Sequence, residues 1–152
     1  MEEQKSGVTR RAVVIGGLAA TIVTEGVQAT PEQTRAAIHG VVGDAPVRKG
    51  RVQLDLPPVV ENGNTVSLVV AVDSAMTATD YVKTIHVFNE KNPQPYVVAA
   101  HLGPRAGKAK IATRIRLADS QTLTAIAEMS DGTFWSASTD VVVTLAACVE
   151  GI

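Results

Sequence analysis

The chain has 152 residues, 14 Lys and Arg against 15 Asp and Glu, a single cysteine and only 3% aromatic residues. Its length and 45% hydrophobic content suit one domain with a real core, while 19% charge and a net of −1 argue against a disordered chain and against nucleic-acid binding through a general basic field. One cysteine excludes an internal disulfide and any zinc site of several thiolates, and so few aromatic rings argue against a platform for stacking bases.

Residues 1–29 read as an export leader. Met1–Gly7 is polar, Thr9-Arg10-Arg11 follows, Ala12–Val23 is apolar, and Val27-Gln28-Ala29 fits the small-x-small rule for signal-peptidase cleavage. The apolar run falls short of the roughly 20 residues that span a bilayer. Thr9-Arg10-Arg11-Ala12-Val13-Val14 resembles a twin-arginine signal, which places the mature chain in the periplasm after cleavage near Ala29. That compartment is oxidising, so a lone thiol there calls for an explanation.

Residues 30–50 read as a short helix and a loop. Thr30-Pro31-Glu32-Gln33 places Thr at the N-cap, Pro at N1 and Gln at N3, a capping-box start. Ile38, Val41 and Val42 supply an apolar stripe, Gly40 and Gly43 limit the length, and Asp44–Gly50 is expected to be loop. From Arg51 the texture changes to short β-branched runs: Val52–Leu56, Thr65–Asp73, Tyr81–Phe88, Tyr96–Leu102, Lys108–Leu117, Thr122–Met129 and Thr133–Leu145. The first break, from Pro57-Pro58 to Asn64, contains Glu61-Asn62-Gly63. Ile111, Thr113, Ile115 and Leu117 alternate with Ala112, Arg114 and Arg116, which predicts one buried face, and Asp131-Gly132 between apolar runs predicts a hairpin. Runs at this spacing predict an all-β fold, an immunoglobulin-like β-sandwich of about seven strands over residues 51–145. No Cys…Trp…Cys core is possible with one cysteine.

Several chemistries can be weighed on the residues. His86, His101, Met129 and Cys148 have the composition of a blue-copper site. In that arrangement a His and the Met closely follow the Cys, whereas only Val149-Glu150-Gly151-Ile152 follow here, so no metal site is expected. A Cys–His nucleophile lacks a Gly-rich elbow, a helix N-terminus and a recognisable acidic orienter, so no catalytic residues are assigned. Phosphate-loop and dinucleotide glycine patterns are absent and no cofactor is implied. Arg105, Lys108, Lys110, Arg114 and Arg116 form the one basic cluster, either a solvated strand face or a docking surface for an acidic partner.

Cys148 is the informative residue. It stands fifth from the C-terminus, one place off a prenylation site. Its alternatives are an incidental thiol, an intermolecular disulfide, or a thiol on an arm, residues 146–152, able to enter another protein's active site. From Thr144 to Cys148 the extended chain reaches about 13 Å. An ordinary thiol is competent in sulfur exchange.

The strand Val141-Val142-Val143-Thr144-Leu145 runs into this cysteine after Ala127-Glu128-Met129-Ser130-Asp131-Gly132-Thr133-Phe134-Trp135. With Thr113-Arg114-Ile115-Arg116-Leu117-Ala118, Glu61-Asn62-Gly63 and the leader, the chain resembles the SoxY family, the sulfur-carrier subunits of the periplasmic thiosulfate-oxidising system. The resemblance implies an immunoglobulin-like domain paired with a SoxZ-like sandwich subunit in a heterodimer or heterotetramer. It also implies a carrier rather than an enzyme, with Cys148 as the covalent sulfur attachment site serving partner enzymes of the Sox type, and neither nucleic acid nor a membrane anchor. Family members commonly end in Gly-Gly-Cys-Gly-Gly, where this arm has Ala146, Ala147, Cys148, Val149 and Glu150, followed by Gly151. Val149 adds bulk beside the thiol, and Glu150 brings a carboxylate that disfavours the thiolate. The alternative is a divergent, non-carrying interaction subunit of a heteromeric sandwich complex.

Overall fold

The computed structural model describes residues 29–145. Helix α1 (Pro31–Val42) starts on the capping box: the Thr30 side chain accepts from the Gln33 N–H, and Gln33 Oε1 accepts from the Thr30 N–H at 3.0 Å. Two of the helix's otherwise orphaned donors are thereby satisfied locally. Ala37, Ile38, Val41 and Val42 then pack on Phe88, Ile126 and Phe134 of the sheet beneath. Ahead of the helix, the Ala29 N–H donates to the Asn92 carbonyl at 3.0 Å.

The remainder forms two facing sheets. One contains β1 (Val47–Lys49), β3 (Val59–Val60), β5 (Val82–Asn89), β6 (Tyr96–His101), β8 (Gln121–Met129) and β9 (Phe134–Val143), in the order β1-β9-β8-β5-β6 with β3 also on β9. The other contains β2 (Val52–Asp55), β4 (Val66–Val72) and β7 (Lys110–Ile115), in the order β2-β4-β7. The period-two alternation of apolar residues buries one side of each strand, as a sandwich requires. On β4, Val66, Leu68, Val70 and Val72 face inward. They share one core with Ile85, Val87, Leu123, Ala125, Ala127, Met129 and Val141 of the facing sheet.

All seven expected runs are strands, so the all-β sandwich stands. The β8–β9 hairpin turns where Asp131-Gly132 places it: Gly132 has φ 80, and Asp131 Oδ1 accepts from both the Thr133 N–H at 2.9 Å and the Thr133 hydroxyl at 2.7 Å. Glycine takes that left-handed φ without steric cost.

Three details differ from the sequence expectations. Val47–Lys49, inside the expected loop 44–50, is strand β1, and Val59–Val60, inside the expected break 57–64, is strand β3. Both pair in parallel with β9, Val47 opposite Phe134 and Val59 opposite Val142. β1 is exposed throughout, and β3 has only an exposed Val59 and a core-facing Val60, so neither is long enough to show a period, and pairing with β9 holds both extended. Thr113 was expected on the buried face of its strand and is exposed, because β7 is an edge strand whose inward positions are only partly covered. Among the described residues, no helix is long and apolar enough to cross a membrane.

Candidate functional site

The attachment residue Cys148 and the arm residues Ala146, Ala147, Val149, Glu150 and Gly151 lie outside the described residues. What the structure describes is the root from which that segment leaves the sandwich. β9 ends at Val143, and the next two residues are fastened to the β3 side. The Val142 N–H donates to the Pro58 carbonyl at 2.9 Å, the Thr144 N–H donates to the Val60 carbonyl at 3.0 Å, and the Gly63 N–H donates to the Leu145 carbonyl at 2.9 Å. The Thr144 hydroxyl adds a bond to the Glu61 carbonyl at 3.1 Å. From the other flank, the Val143 N–H donates to Ser120 Oγ at 2.8 Å. Strand β3 and the Glu61-Asn62-Gly63 turn therefore hold the chain in register up to Leu145. The turn keeps its own shape because Asn62 Oδ1 accepts from the Asn64 N–H at 2.9 Å.

Two surfaces meet at this root. On the outer face of the larger sheet, Val59 and its register partner Val142 are both exposed, and Leu145 is 66% exposed beside them. A groove of about 360 Å³ runs past Pro57, Val59, Glu61, Asn62, Thr65 and Ser67. On the other side, the Leu117 N–H donates to the Gly63 carbonyl at 2.9 Å, so Gly63 bridges Leu145 to the segment two residues beyond the end of β7. The root thus combines a fixed backbone, a small apolar patch and a nearby row of cations.

Among the described residues, His86, His101 and Met129 of the copper-like set are not brought together. His86 and Phe88 turn to the outer face of the larger sheet, whereas Met129 is buried in the core between the sheets. His86 Nδ1 is 2.5 Å from the Tyr96 hydroxyl, and His101 Nδ1 is 3.1 Å from the Thr84 hydroxyl. His86 is buried, and burial pushes its pKa below the ordinary value, the Glu128 carboxylate opposing that and His101 adding to it. Among the described residues no three His, Cys, Asp or Glu side chains are grouped to hold a metal ion.

The root clamp is the part that the sequence conceals. Val59-Val60 after Pro57-Pro58 is a two-residue β-branched signal inside a turn-rich stretch, and nothing local says that it pairs with a strand more than eighty residues away.

These features define a class: a β-sandwich whose last strand is clamped at its end and passes into a segment containing the chain's one cysteine. The family model "Sulfur oxidation protein SoxY" matches residues 38–148, so its match runs through the clamped root and ends on Cys148. The chain belongs to the SoxY family. Among solved structures, the sulfur carrier protein SoxY from Chlorobium limicola f thiosulfatophilum is 25% identical with a TM-score of 0.63, covering 75% of this chain and 98% of that one. A superoxide reductase (neelaredoxin) from Ignicoccus hospitalis is 15% identical with a TM-score of 0.55, covering 77% and 95%. The superoxide reductase from Nanoarchaeum equitans is 9% identical with a TM-score of 0.53, covering 63% and 100%. At those identities the two reductases share the fold alone. No curated protein sequence matches the chain.

Proposed function

We propose that this SoxY-family chain is a periplasmic sulfur carrier that holds thiosulfate-derived sulfur covalently on Cys148 and presents it to partner enzymes. The observation that carries this reading is the family match ending on Cys148, three residues beyond a backbone fixed by Val60, Glu61 and Gly63. An arm held at its root and extended beyond it can deliver a thiol about 10 Å from the sandwich while the domain stays folded.

The chemistry is sulfur exchange. Joining the Cys148 thiolate to the terminal sulfur of thiosulfate forms a sulfur–sulfur bond and releases an electron pair, which a partner's redox centre must accept. Water then cleaves the bond to the sulfonate group, giving sulfate and leaving a persulfide on Cys148 for further oxidation. Tethering keeps each intermediate at a high local concentration for the next enzyme. The chain acts as a substrate shuttle, exported by its twin-arginine leader and paired with a SoxZ-like sandwich subunit.

Intact-mass analysis of periplasmic protein during growth on thiosulfate should find sulfur, sulfite or thiosulfate mass on Cys148. Cys148→Ser should abolish thiosulfate oxidation and leave the unfolding curve unchanged. Normal oxidation by that variant would overturn the reading. A second reading, an assembly subunit that carries nothing, draws on Val149 and Glu150 in place of glycine. A Cys148 that is never conjugated would favour it.

A further inference from the structure

Positions 108, 110, 112, 114 and 116 all turn to solvent, while Ala109, Ile115 and Leu117 are buried between them. The outward row reads Lys108, Lys110, Ala112, Arg114 and Arg116. Lys110 and Arg114 thus share the outward face of edge strand β7, and Lys108 and Arg116 continue the row just beyond its two ends. Arg105 extends them into the preceding 3-10 turn, Pro104–Ala106. Among the described residues none of these five forms an ion pair, whereas Arg35, Arg51, Lys83 and Lys91 each have a carboxylate partner.

The floor beside this row is made of small groups. Arg114 stands opposite Ser67, Ala112 opposite Val69, and Lys110 opposite Ala71, and a groove of about 610 Å³ runs between the strands. Asp55, the acidic side chain in the same sheet, lies beyond Val69 on β2. Ser67 lines both this groove and the one at the arm root, so the two surfaces are continuous. The outer edge of β7 pairs with no strand among the described residues.

We infer that the solvent face of β7 is a docking surface for an acidic patch on the enzyme that hydrolyses sulfate from the loaded arm, an inference that rests on the carrier reading. Exposed cations over small side chains suit a transient, salt-sensitive encounter, in contrast to the apolar cores of permanent interfaces. Contact there steers the partner to the side of the sandwich from which the arm leaves. Charge on an edge strand also discourages pairing between copies. Reversal to Glu separates the roles, because a row of Glu still protects the edge and repels an acidic partner.

The test measures binding of the purified sulfate-releasing hydrolase of the same organism to the full chain carrying Cys148→Ser, over a range of salt. The unmodified surface should bind with an affinity that falls as salt rises. K110E with R114E should weaken binding by at least about tenfold at low salt and flatten the salt dependence. K110Q with R114Q should fall between, and R114K should keep the affinity. K49E, paired near the far end of β9, should change nothing. An affinity within twofold of the starting chain for the double reversal, or no salt-dependent binding at all, would overturn the docking surface. Salt-dependent binding with Cys148 never found loaded would keep the surface and remove the carrier reading. Loading that proceeds with the double reversal at full affinity would do the opposite.

Discussion

The outer faces of the two sheets are built from the same strand geometry and have opposite fates. On the larger sheet, Phe88, Ile126 and Phe134 lie under α1, and beside them His86 and Thr84 are buried with Tyr96 stacked 4.9 Å from Phe88. On the smaller sheet the outward residues of β4 and β7 are Ser67, Val69, Ala71, Lys110, Ala112 and Arg114, and no helix covers them. The difference teaches what each face is for. Large apolar side chains are stabilising only if something removes them from water, so the first face has a roof. Small and cationic side chains need none, so the second stays available.

The largest expected break in this comparison is Phe88→Ala. It removes a fully buried ring from between sheet and helix and should cost about 3–5 kcal/mol, read by urea denaturation. Val69→Ala on the bare face should cost far less, and equal losses would abolish the distinction. Thr30→Ala acts on the roof itself. Losing the capping box should cost about 1 kcal/mol and raise amide exchange in the first turn of α1.

The covered face should also be the acid-sensitive one. Burial holds His86 neutral below its ordinary pKa of 6.5, so the unfolded chain takes up a proton before the folded chain does. Its contribution to stability is therefore complete above about pH 6.5 and is lost as pH falls through the depressed folded value. Denaturation at pH 7.5 and 5.5 should show the loss, and His86→Phe should flatten it, with the exposed Tyr96 hydroxyl turning to water. If His86→Phe keeps the full pH dependence, the source lies elsewhere. The smallest effect belongs to the bare face: Arg114→Ser should change stability by no more than about 0.5 kcal/mol, because its side chain is exposed and forms no ion pair among the described residues. A larger loss would mean that the row of cations supports the fold.

Much of the fold was legible because it is encoded locally. Thr30 and Gln33 announce the helix start, Asp131-Gly132 the hairpin, and Val66 through Val72 a strand with one buried face. Strands β1 and β3 were not legible. Val47–Lys49 and Val59–Val60 are too short to show a period, and both are held extended by pairing with β9, Val60 also reaching the core. The candidate site divides in the same way. A single cysteine beyond the last strand draws attention to itself, whereas the clamp at its root depends on Val60, Glu61 and Gly63 meeting Thr144 and Leu145 from more than eighty residues away in the chain.

The sequence by itself therefore determined the class of elements, the inward and outward sides of most strands, the family and the position of the chain's one thiol. These follow from periodicity, capping and turn chemistry, which act over a few residues. Only the tertiary structure decided which strands flank β9, that the arm root is fastened to the β3 side, and that Lys108 through Arg116 present their charges on a surface continuous with that root. Those features are pairings between distant segments, and a hydrogen bond between distant backbones leaves no mark on the residues that make it.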